Sequence, residues 1–354
     1  MPIPGDSLDF VDAVAGLPEQ LAAAHASATP QVAAAIAGGQ LPARDAIDNV
    51  VVLGMGGSGI SGDVLASVAN STLPVPVTVL KQYRCPKFVG PRTLAFAVSY
   101  SGGTEETESM AEGVVESGAQ LVVVSKGGEL AALADRAGAP RLTCPDGYLP
   151  RAALGALIAP LFATLEGVGL LPDASQWLAD AVTQLASRRD RCAPTVAGTA
   201  NPARELARKV GRTIPLVYGG GALGAVAAYR WKCDINENAK APAFWNTYPE
   251  IDHNEICAWG QHGDVTRQLL TVIELRHGFE HARLEPRFAI TRELMREAVH
   301  DILEVRAEGN GRLAQLLDLM YVGDWVSCYL ALDNDVDPGP IDAIFELKDR
   351  LAAL

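Results

Sequence analysis

The chain has 354 residues, 49% of them hydrophobic, and a formal net charge of −13. This length and composition suffice for two hydrophobic cores of ordinary domain size. The negative charge argues against general affinity for nucleic acid or for an anionic membrane, because both require a positive surface. An anionic small substrate would have to be held by local donors.

In chain order, the first predicted element is a helix over residues 7–40, with breaks at Pro18 and Pro30. Strands then alternate with helices to about residue 170, which predicts a parallel sheet covered on both faces. The predicted strands are 49–53, 75–80, 93–98, 120–125 and a weaker one at 141–144, and the predicted helices are 104–117, 128–137, 151–168 and a polar helix at 174–191.

The second half of the chain repeats the pattern of strand, glycine loop and helix from residue 214 onward. Its other predicted strands are 269–275 and, more weakly, 286–290, and its predicted helices are 291–304, 310–332 and 340–352. The two halves therefore indicate an α/β protein with two related domains.

Cysteine usage and the N-terminal sequence indicate a cytoplasmic protein. The six cysteines include no C-x-x-C pair, which favours reduced thiols over a disulfide framework or a zinc site. The N-terminus lacks the basic start and apolar core of a signal peptide. The most apolar stretch, residues 152–165, is shorter than the roughly 20 residues that span a bilayer.

Two strands of the first half end at clusters of glycines and hydroxyls. Residues 50–53 lead into Gly-Met-Gly-Gly-Ser-Gly at 54–59, and residues 94–98 lead into Ser-Tyr-Ser-Gly-Gly-Thr at 99–104. Glycine lets the backbone approach a ligand closely, and the N–H groups of a following helix attract an anion. Together the two loops predict a phosphate site, although the glycines alone are equally explained by tight packing of helix on strand.

The spacing of Gly54, Gly56 and Gly59 also matches the G-x-G-x-x-G pattern of dinucleotide folds. Such folds place an acidic residue at the tip of the second strand to bind the ribose. Here that strand ends in Lys-Gln-Tyr-Arg at 81–84, so nicotinamide binding is disfavoured and only a 2′-phosphate cofactor stays open. We expect no cofactor and no metal.

The third glycine loop, at residues 219–221, lacks a hydroxyl partner. The neighbouring predicted strand ends in Arg-His-Gly at 276–278, without serines. We therefore expect one phosphate site per chain, unless residues 219–221 themselves form a binding turn.

The densest polar segment of the chain, residues 232–256, surrounds Glu237 with two asparagines and several aromatic residues. This composition predicts a walled pocket in which amides fix a carboxylate. Glu237 is suited to act as a base, and His253 as an acid or base near neutral pH. The plain alternatives are a surface ion pair of Glu237 with Lys232 or Lys240, and a buried structural role for His253.

Six strings occur in order along the chain: GMGGSGISGD at 54–63, SYSGGTEET at 99–107, PRAALG at 150–155, NENAKAPAF at 236–244, HNEI at 253–256 and ELK at 346–348. Over residues 45–352 they resemble the bifunctional phosphoglucose/phosphomannose isomerases. The resemblance implies a metal-independent homodimer that interconverts glucose 6-phosphate or mannose 6-phosphate with fructose 6-phosphate through a cis-enediol. The chain is predicted to divide into a helical leader at 1–44, which exceeds the usual leader of the family, a first sugar isomerase domain at 45–170, a helical linker at 171–202 and a second domain at 203–354.

The resemblance further implies roles for individual residues. Glu237 would move the proton between C1 and C2, and His253, supplied by the neighbouring subunit, would open the sugar ring. Arg151 would stabilise the enediolate, and Lys348 would lie near the ring oxygen. The residues that match the phosphate cradle are Gly57, Ser58, Ser99, Ser101 and Thr104.

Two residues and two alternative functions stay open. Gly103 stands where the family usually has asparagine, and Lys348 is also explained as an exposed lysine in the last turn of a helix, where the dipole favours it. A sugar-phosphate-binding regulator of the same fold, without turnover, is the main alternative function. An NADP-dependent oxidoreductase is the second.

Overall fold

The structure is a computed structural model that describes residues 3–353, apart from the side chain of Ala352. The chain divides into two compact units. The N-terminal unit comprises Gly16–Leu185 and Gly309–Ala314, and the C-terminal unit comprises the described residues up to Ala15, Ala186–Glu308 and the described residues from Gln315 onward.

Helices and strands alternate along most of the chain. The strands are β1 (Asn49–Leu53), β2 (Val77–Leu80), β3 (Thr93–Val98), β4 (Gln120–Ser125), β5 (Arg141–Thr143), β6 (Ile214–Gly220), β7 (Phe244–Tyr248), β8 (Leu270–Arg276) and β9 (Asp301–Arg306). The α-helices are α1 (Phe10–Ala15), α2 (Leu17–Ala37), α3 (Gly56–Ala69), α4 (Glu105–Glu116), α5 (Gly128–Ala137), α6 (Leu154–Gly167), α7 (Ala174–Cys192), α8 (Pro202–Val210), α9 (Gly221–Asn238), α10 (Gly263–Leu269), α11 (Leu284–Met295), α12 (Gly311–Leu332) and α13 (Asp342–Ala352).

The N-terminal unit contains a five-stranded parallel sheet in the order β2-β1-β3-β4-β5. All six residues of β3 are buried, as expected for a parallel strand covered on both faces. Val51 and Ala95 pack against α4 and α5 on one face, whereas Val52 lies against Gly62 of α3 on the other. The prediction of an α/β fold with helices flanking the sheet is confirmed here.

The C-terminal unit repeats this arrangement with a four-stranded parallel sheet in the order β7-β6-β8-β9. Strand β6 carries the third glycine loop and pairs with β8, just as β1 pairs with β3 in the other unit. The prediction of a second, related sheet is also confirmed.

The sequence prediction around residue 290 was wrong. Residues 286–290 lie inside helix α11, not in a strand, because Pro286 falls in the first turn, where its missing N–H is tolerated. Leu284 and Phe288 then fall on one buried helical face. The strand of this region is instead β9, at residues 301–306, where a helix over 291–304 was expected. Alternating exposed and buried residues identify β9 as a half-covered edge strand.

Strand β7 was missed because it lies within the polar segment interpreted as a pocket. It is the other edge strand of this sheet, and Phe244 and Trp245 are exposed on it. The predicted break at Pro30 is also wrong, since α2 continues through it. Pro30 and Ala26, whose carbonyl loses its helical donor, are both exposed, so water can satisfy that carbonyl.

The six cysteines are all free, and no helix among residues 3–353 has the length and apolarity to cross a membrane. No cluster of metal-ligating side chains occurs among the residues that the structure describes.

Candidate functional site

The predicted phosphate loops follow two neighbouring strands. Leu53 of β1 pairs with Ala97 of β3, so the loops that follow these strands begin side by side at the carboxyl edge of the sheet. Gly57 and Ser58 lie in the first turn of α3, and Thr104 is the residue before α4. Helix N-termini and loop hydroxyls therefore share one edge, the arrangement that favours an anion.

The hydroxyls of the second loop form a connected cluster. Ser99 Oγ lies 2.8 Å from Thr104 Oγ1 and 3.5 Å from Ser101 Oγ. The backbone N–H of Gly102 donates to Ser99 Oγ at 3.1 Å, and that of Tyr100 donates to Ser58 Oγ at 3.4 Å. Ser99 is buried and Ser101 exposed, so the cluster reaches from the sheet to the surface.

Glycine is required at several points of these loops. Gly102 has φ +73°, and an added Cβ would lie 1.7 Å from the Gly127 carbonyl oxygen. At Gly59 an added Cβ would lie 2.5 Å from the Gly54 carbonyl oxygen. Tight packing of helix on strand therefore does account for Gly54 and Gly59, whereas Gly102 lets the hydroxyl-bearing loop turn.

Lys81, at the tip of β2, forms an ion pair with Asp63 of α3. Burial raises the pKa of the Asp63 carboxyl, and the neighbouring Lys81 ammonium opposes that rise. The cation at the second strand tip is thus matched by a carboxylate of the glycine-loop helix. This pairing disfavours the 2′-phosphate interpretation of residues 81–84.

Arg151 lies on a short 3₁₀ turn, Pro150–Ala152, and is 5% exposed. The preceding segment is tied to the cradle by Tyr100, whose hydroxyl donates to the Pro145 carbonyl at 2.9 Å and accepts from the Tyr148 N–H at 2.9 Å. Since Tyr100 lies between Ser99 and Ser101, the structure places the Arg151 turn at the cradle edge of the sheet.

Glu237 lies in the last turn of α9 and is half-buried. It lines a cavity of about 540 Å³. The other lining residues come from its own neighbourhood and from the chain leading into α13, namely Asn236, Lys240, Val336, Asp337, Pro340, Ile341, Asp342, Ala343 and Ile344.

Glu237 forms no ion pair within the described part of the chain, so the surface-pair alternative is not what the structure shows. Lys240 instead donates to the Asp337 carbonyl at 2.6 Å. Asn236 donates to the Ala241 carbonyl at 2.8 Å. The side chains of Asn236 and Lys240 thus bind backbone carbonyls, and the Glu237 carboxylate faces the cavity.

Helix α9 is held firmly on α12. Trp231 Nε1 donates to the Leu319 carbonyl at 2.7 Å, and Asn238 Nδ2 donates to Ser327 Oγ at 2.9 Å. Asn238 directly follows Glu237, so these bonds fix the helical turn that carries the carboxylate.

A buried charged cluster supports the same helix. Arg230 Nη2 donates to Asp324 Oδ1 at 2.9 Å, while Arg230 Nε lies 2.7 Å from Asp234 Oδ2 without hydrogen-bond alignment. Burial raises the pKa of the Asp234 carboxyl well above its usual range, although Arg230 opposes the rise.

His253 is exposed at the end of a 3₁₀ turn, Glu250–His253, so a buried structural role is not what the structure shows. The turn is fastened by Asp252, whose carboxylate meets Arg287 Nη1 at 2.8 Å and accepts from Thr291 Oγ1 at 2.9 Å. Both partners belong to α11.

Glu255, two residues after His253, is also anchored. Asn246 Nδ2 donates to its carboxylate at 2.6 Å, and the Tyr218 hydroxyl donates to the other oxygen. Burial raises the pKa of Tyr218, so the phenol stays protonated and remains a donor.

Lys348 lies on α13, which is exposed along its described length, and it is not among the residues that line the cavity of Glu237. The structure therefore groups the five cradle residues with Arg151 in the N-terminal unit. Glu237, His253 and Lys348 lie in the C-terminal unit, but Lys348 does not line the cavity of Glu237.

Comparison with known proteins identifies the family of the chain. The family model of the bacterial phospho-glucose isomerase C-terminal SIS domain matches residues 199–351. A bifunctional phosphoglucose/phosphomannose isomerase of Caldicellulosiruptor bescii is 36% identical over 308 residues, which cover 87% of this chain and 91% of that protein. Another from Aquifex aeolicus is 32% identical and covers 85% of this chain and 90% of that protein. This chain belongs to the bifunctional phosphoglucose/phosphomannose isomerase family.

The isomerase family membership also agrees with the fold. The C-terminal domain of glucosamine-fructose-6-phosphate aminotransferase from Francisella tularensis superposes with a TM-score of 0.68 at 13% identity, over 93% of this chain and 97% of that chain. At this identity the likeness concerns the fold alone.

The sequence did not predict the residues that hold the His253 turn and the neighbouring Glu255 in place. Asp252, Arg287 and Thr291 fasten the His253 turn, and Tyr218 and Asn246 hold Glu255. Asp252 and Arg287 are 35 positions apart, and no local spacing rule links them. The one signal for these contacts in the sequence was Asp252, the carboxylate directly before His253.

Proposed function

We propose that this chain interconverts glucose 6-phosphate, mannose 6-phosphate or both with fructose 6-phosphate through a cis-enediol. The observation that carries the proposal is Glu237, a half-buried carboxylate that lines a cavity and forms no ion pair among the described residues. A protein that only bound sugar phosphates would not need a free carboxylate there, which argues against the regulatory alternative.

In the proposed mechanism, the hydroxyls of Ser58, Ser99, Ser101 and Thr104, with the backbone at Gly57, hold the phosphate. Glu237 takes the proton from C2 of the open-chain aldose and returns it to C1. The base must reach both carbons, and a carboxylate on a rigidly held helix turn is suited to that transfer.

The remaining roles concern charge and ring opening. Arg151 would stabilise the oxyanion of the enediolate, because a buried guanidinium interacts strongly with developing charge. His253 would exchange the proton that opens and closes the sugar ring. Lys348, on α13, would assist at the ring oxygen.

We further propose that the protein works as a homodimer in which His253 reaches the partner's site. Two observations support this: His253 is exposed on its own chain, and Ile290 and Leu294 of the neighbouring helix α11 are 56% and 60% exposed. Exposed apolar side chains on one helix face favour burial against another copy.

The direct test is turnover by purified protein with each aldose 6-phosphate, in the presence of a metal chelator. Conversion to fructose 6-phosphate supports the proposal. Glu237→Gln is the test variant and Glu116→Gln, an exposed glutamate on α4, is the matched control. Tight binding of fructose 6-phosphate without any turnover would instead establish the regulatory alternative.

A further inference from the structure

The glycine loop between β6 and α9 occupies the same topological place as the cradle loop between β1 and α3. Gly219 of β6 pairs with Leu275 of β8, just as Leu53 of β1 pairs with Ala97 of β3. The residues that follow β8 therefore correspond in position to Ser99–Thr104 of the N-terminal unit. In the cradle these residues bear hydroxyls, whereas after β8 they bear a histidine and a glutamate.

The carboxylate of Glu280 lies at the centre of the loop that follows β8. It accepts from Arg276 Nε at 3.0 Å, from Arg276 Nη2 at 2.8 Å and from the backbone N–H of His277 at 2.9 Å. The side chains of Arg276 and Glu280 are 3% and 9% exposed. This carboxylate thus accepts hydrogen bonds from three donors and is largely shielded from solvent.

Glu280 also touches the glycine loop itself. An added Cβ at Gly220 would lie 2.8 Å from Glu280 Oε1, so the carboxylate packs directly against this glycine. Gly220 immediately precedes α9, and its carbonyl lies 2.7 Å from His277 Nε2. The carboxylate therefore lies beside the residue that precedes α9, near the end of the helix that favours an anion.

We propose that the third glycine loop, between β6 and α9, is an anion site whose occupant is the chain's own Glu280, which closes the site to phosphate monoesters. The donors to Glu280, a buried guanidinium and a backbone N–H, are groups that also bind a phosphate, and α9 begins directly after the neighbouring Gly220. The chain consequently accepts one sugar phosphate, in the N-terminal cradle, although the C-terminal unit carries a glycine loop in the corresponding place.

The test removes the carboxylate and counts bound inorganic phosphate by equilibrium dialysis. Glu280→Ala is expected to bind one phosphate per chain more than the wild type. The matched control is Glu285→Ala, because Glu285 pairs with the same Arg276 but is 67% exposed, and none of its atoms is among the three nearest to a Cβ on Gly220. It is expected to bind no extra phosphate. In a Glu280→Ala/Arg276→Gln double variant the extra phosphate should be lost.

Two outcomes would overturn the inference. One is a folded Glu280→Ala protein, judged by its circular dichroism, that binds no more phosphate than the wild type. The other is extra phosphate in both Glu280→Ala and Glu285→Ala. If Glu280→Ala is too unstable to dialyse, added phosphate should raise its melting temperature more than that of the wild type, and an equal rise would contradict the proposal. None of these readouts depends on isomerase activity.

Discussion

At the scale of single residues, the cradle shows hydroxyls that differ in access and role. Ser99 is buried and joins Thr104 to the backbone of Gly102, whereas Ser101 is exposed. Hydroxyls are neutral, so the cradle can bind a phosphate without bringing in a compensating cation. This fits a chain with a net charge of −13, which must concentrate an anion by directed donors.

Thr104→Val tests the cradle with little change in shape. Because a hydrogen bond to a charged group contributes about 1.5–3 kcal/mol, we expect the KM for hexose 6-phosphate to rise about tenfold to a hundredfold. The value of kcat should change little. Steady-state kinetics of Thr107→Val give the control, since the Thr107 hydroxyl is buried without a hydrogen-bond partner in the described structure. Equal KM values for the two variants would contradict the assignment.

The residues that could be predicted from sequence are those whose neighbours in the chain carry the signal. The serines and Thr104 follow a buried strand within six positions, and Glu237 lies between two asparagines. The supporting contacts could not be predicted, because each joins distant positions. Asp252 with Arg287 and Arg230 with Asp324 meet only after α11 and α12 have packed.

At the scale of elements, the loop between β3 and α4 contains two adjacent glycines with different requirements. Gly102 has φ +73° and almost no space for a Cβ, whereas the nearest atom to a Cβ on Gly103 is Glu108 Oε1 at 3.9 Å. The asparagine that the family usually has at position 103 would therefore fit here.

We expect Gly102→Ala to lower the free energy of unfolding by more than about 1 kcal/mol, since backbone and sterics both oppose it. It should also raise the KM, because the loop carries Ser101 and Thr104. Gly103→Asn should leave stability unchanged or raise it by about 0.4–1 kcal/mol, by restricting the unfolded chain. Urea unfolding and kinetics of both variants check this. A Gly102→Ala protein as stable as Gly103→Asn would show that the loop is not so constrained.

The helix pair α9 and α12 makes the free energy of unfolding depend on pH in a predictable direction. The pKa of Asp234 is raised above the ordinary value of 3.8, chiefly by burial, with Asp324 and Glu237 adding to the rise and Arg230 opposing it. The folded state therefore holds a proton that the unfolded chain has released, and the free energy of unfolding contributed by this group falls as pH rises above 3.8.

Asp234→Asn should flatten that decline, because an amide does not titrate and Arg230 keeps Asp324 as its partner. The measurement is urea unfolding of the wild type and the variant at several pH values above 4. Asp48→Asn, at an exposed ion pair with Arg92, is a control in which the decline should persist. An unchanged slope in Asp234→Asn would contradict the assignment.

At the scale of the whole molecule, alternating strands and helices and the repeated glycine loop were enough to predict two parallel sheets. The edge strands β7 and β9 were harder, since each is short and partly exposed, and tertiary packing decides whether such segments pair. The domain bounds proposed from the sequence, at 45–170 and 203–354, stay a prediction.

Mixing two inactive variants tests whether His253 serves the partner's site. A heterodimer of Glu237→Gln and His253→Ala would contain one intact site, so refolding them together should restore about a quarter of wild-type activity. Each variant refolded alone is the control. If His253 acted within its own chain, every site in the mixture would keep a defect and no activity would return.

The central claim is that Glu237 moves a proton between adjacent carbons of the sugar. It is tested most directly by NMR of fructose 6-phosphate incubated with the protein in D₂O. The wild type should form aldose 6-phosphate that carries deuterium at C2, and Glu237→Gln should slow its formation by about 10²–10⁴-fold while still binding the ketose. C2-deuterated aldose formed by Glu237→Gln at the wild-type rate would contradict the claim.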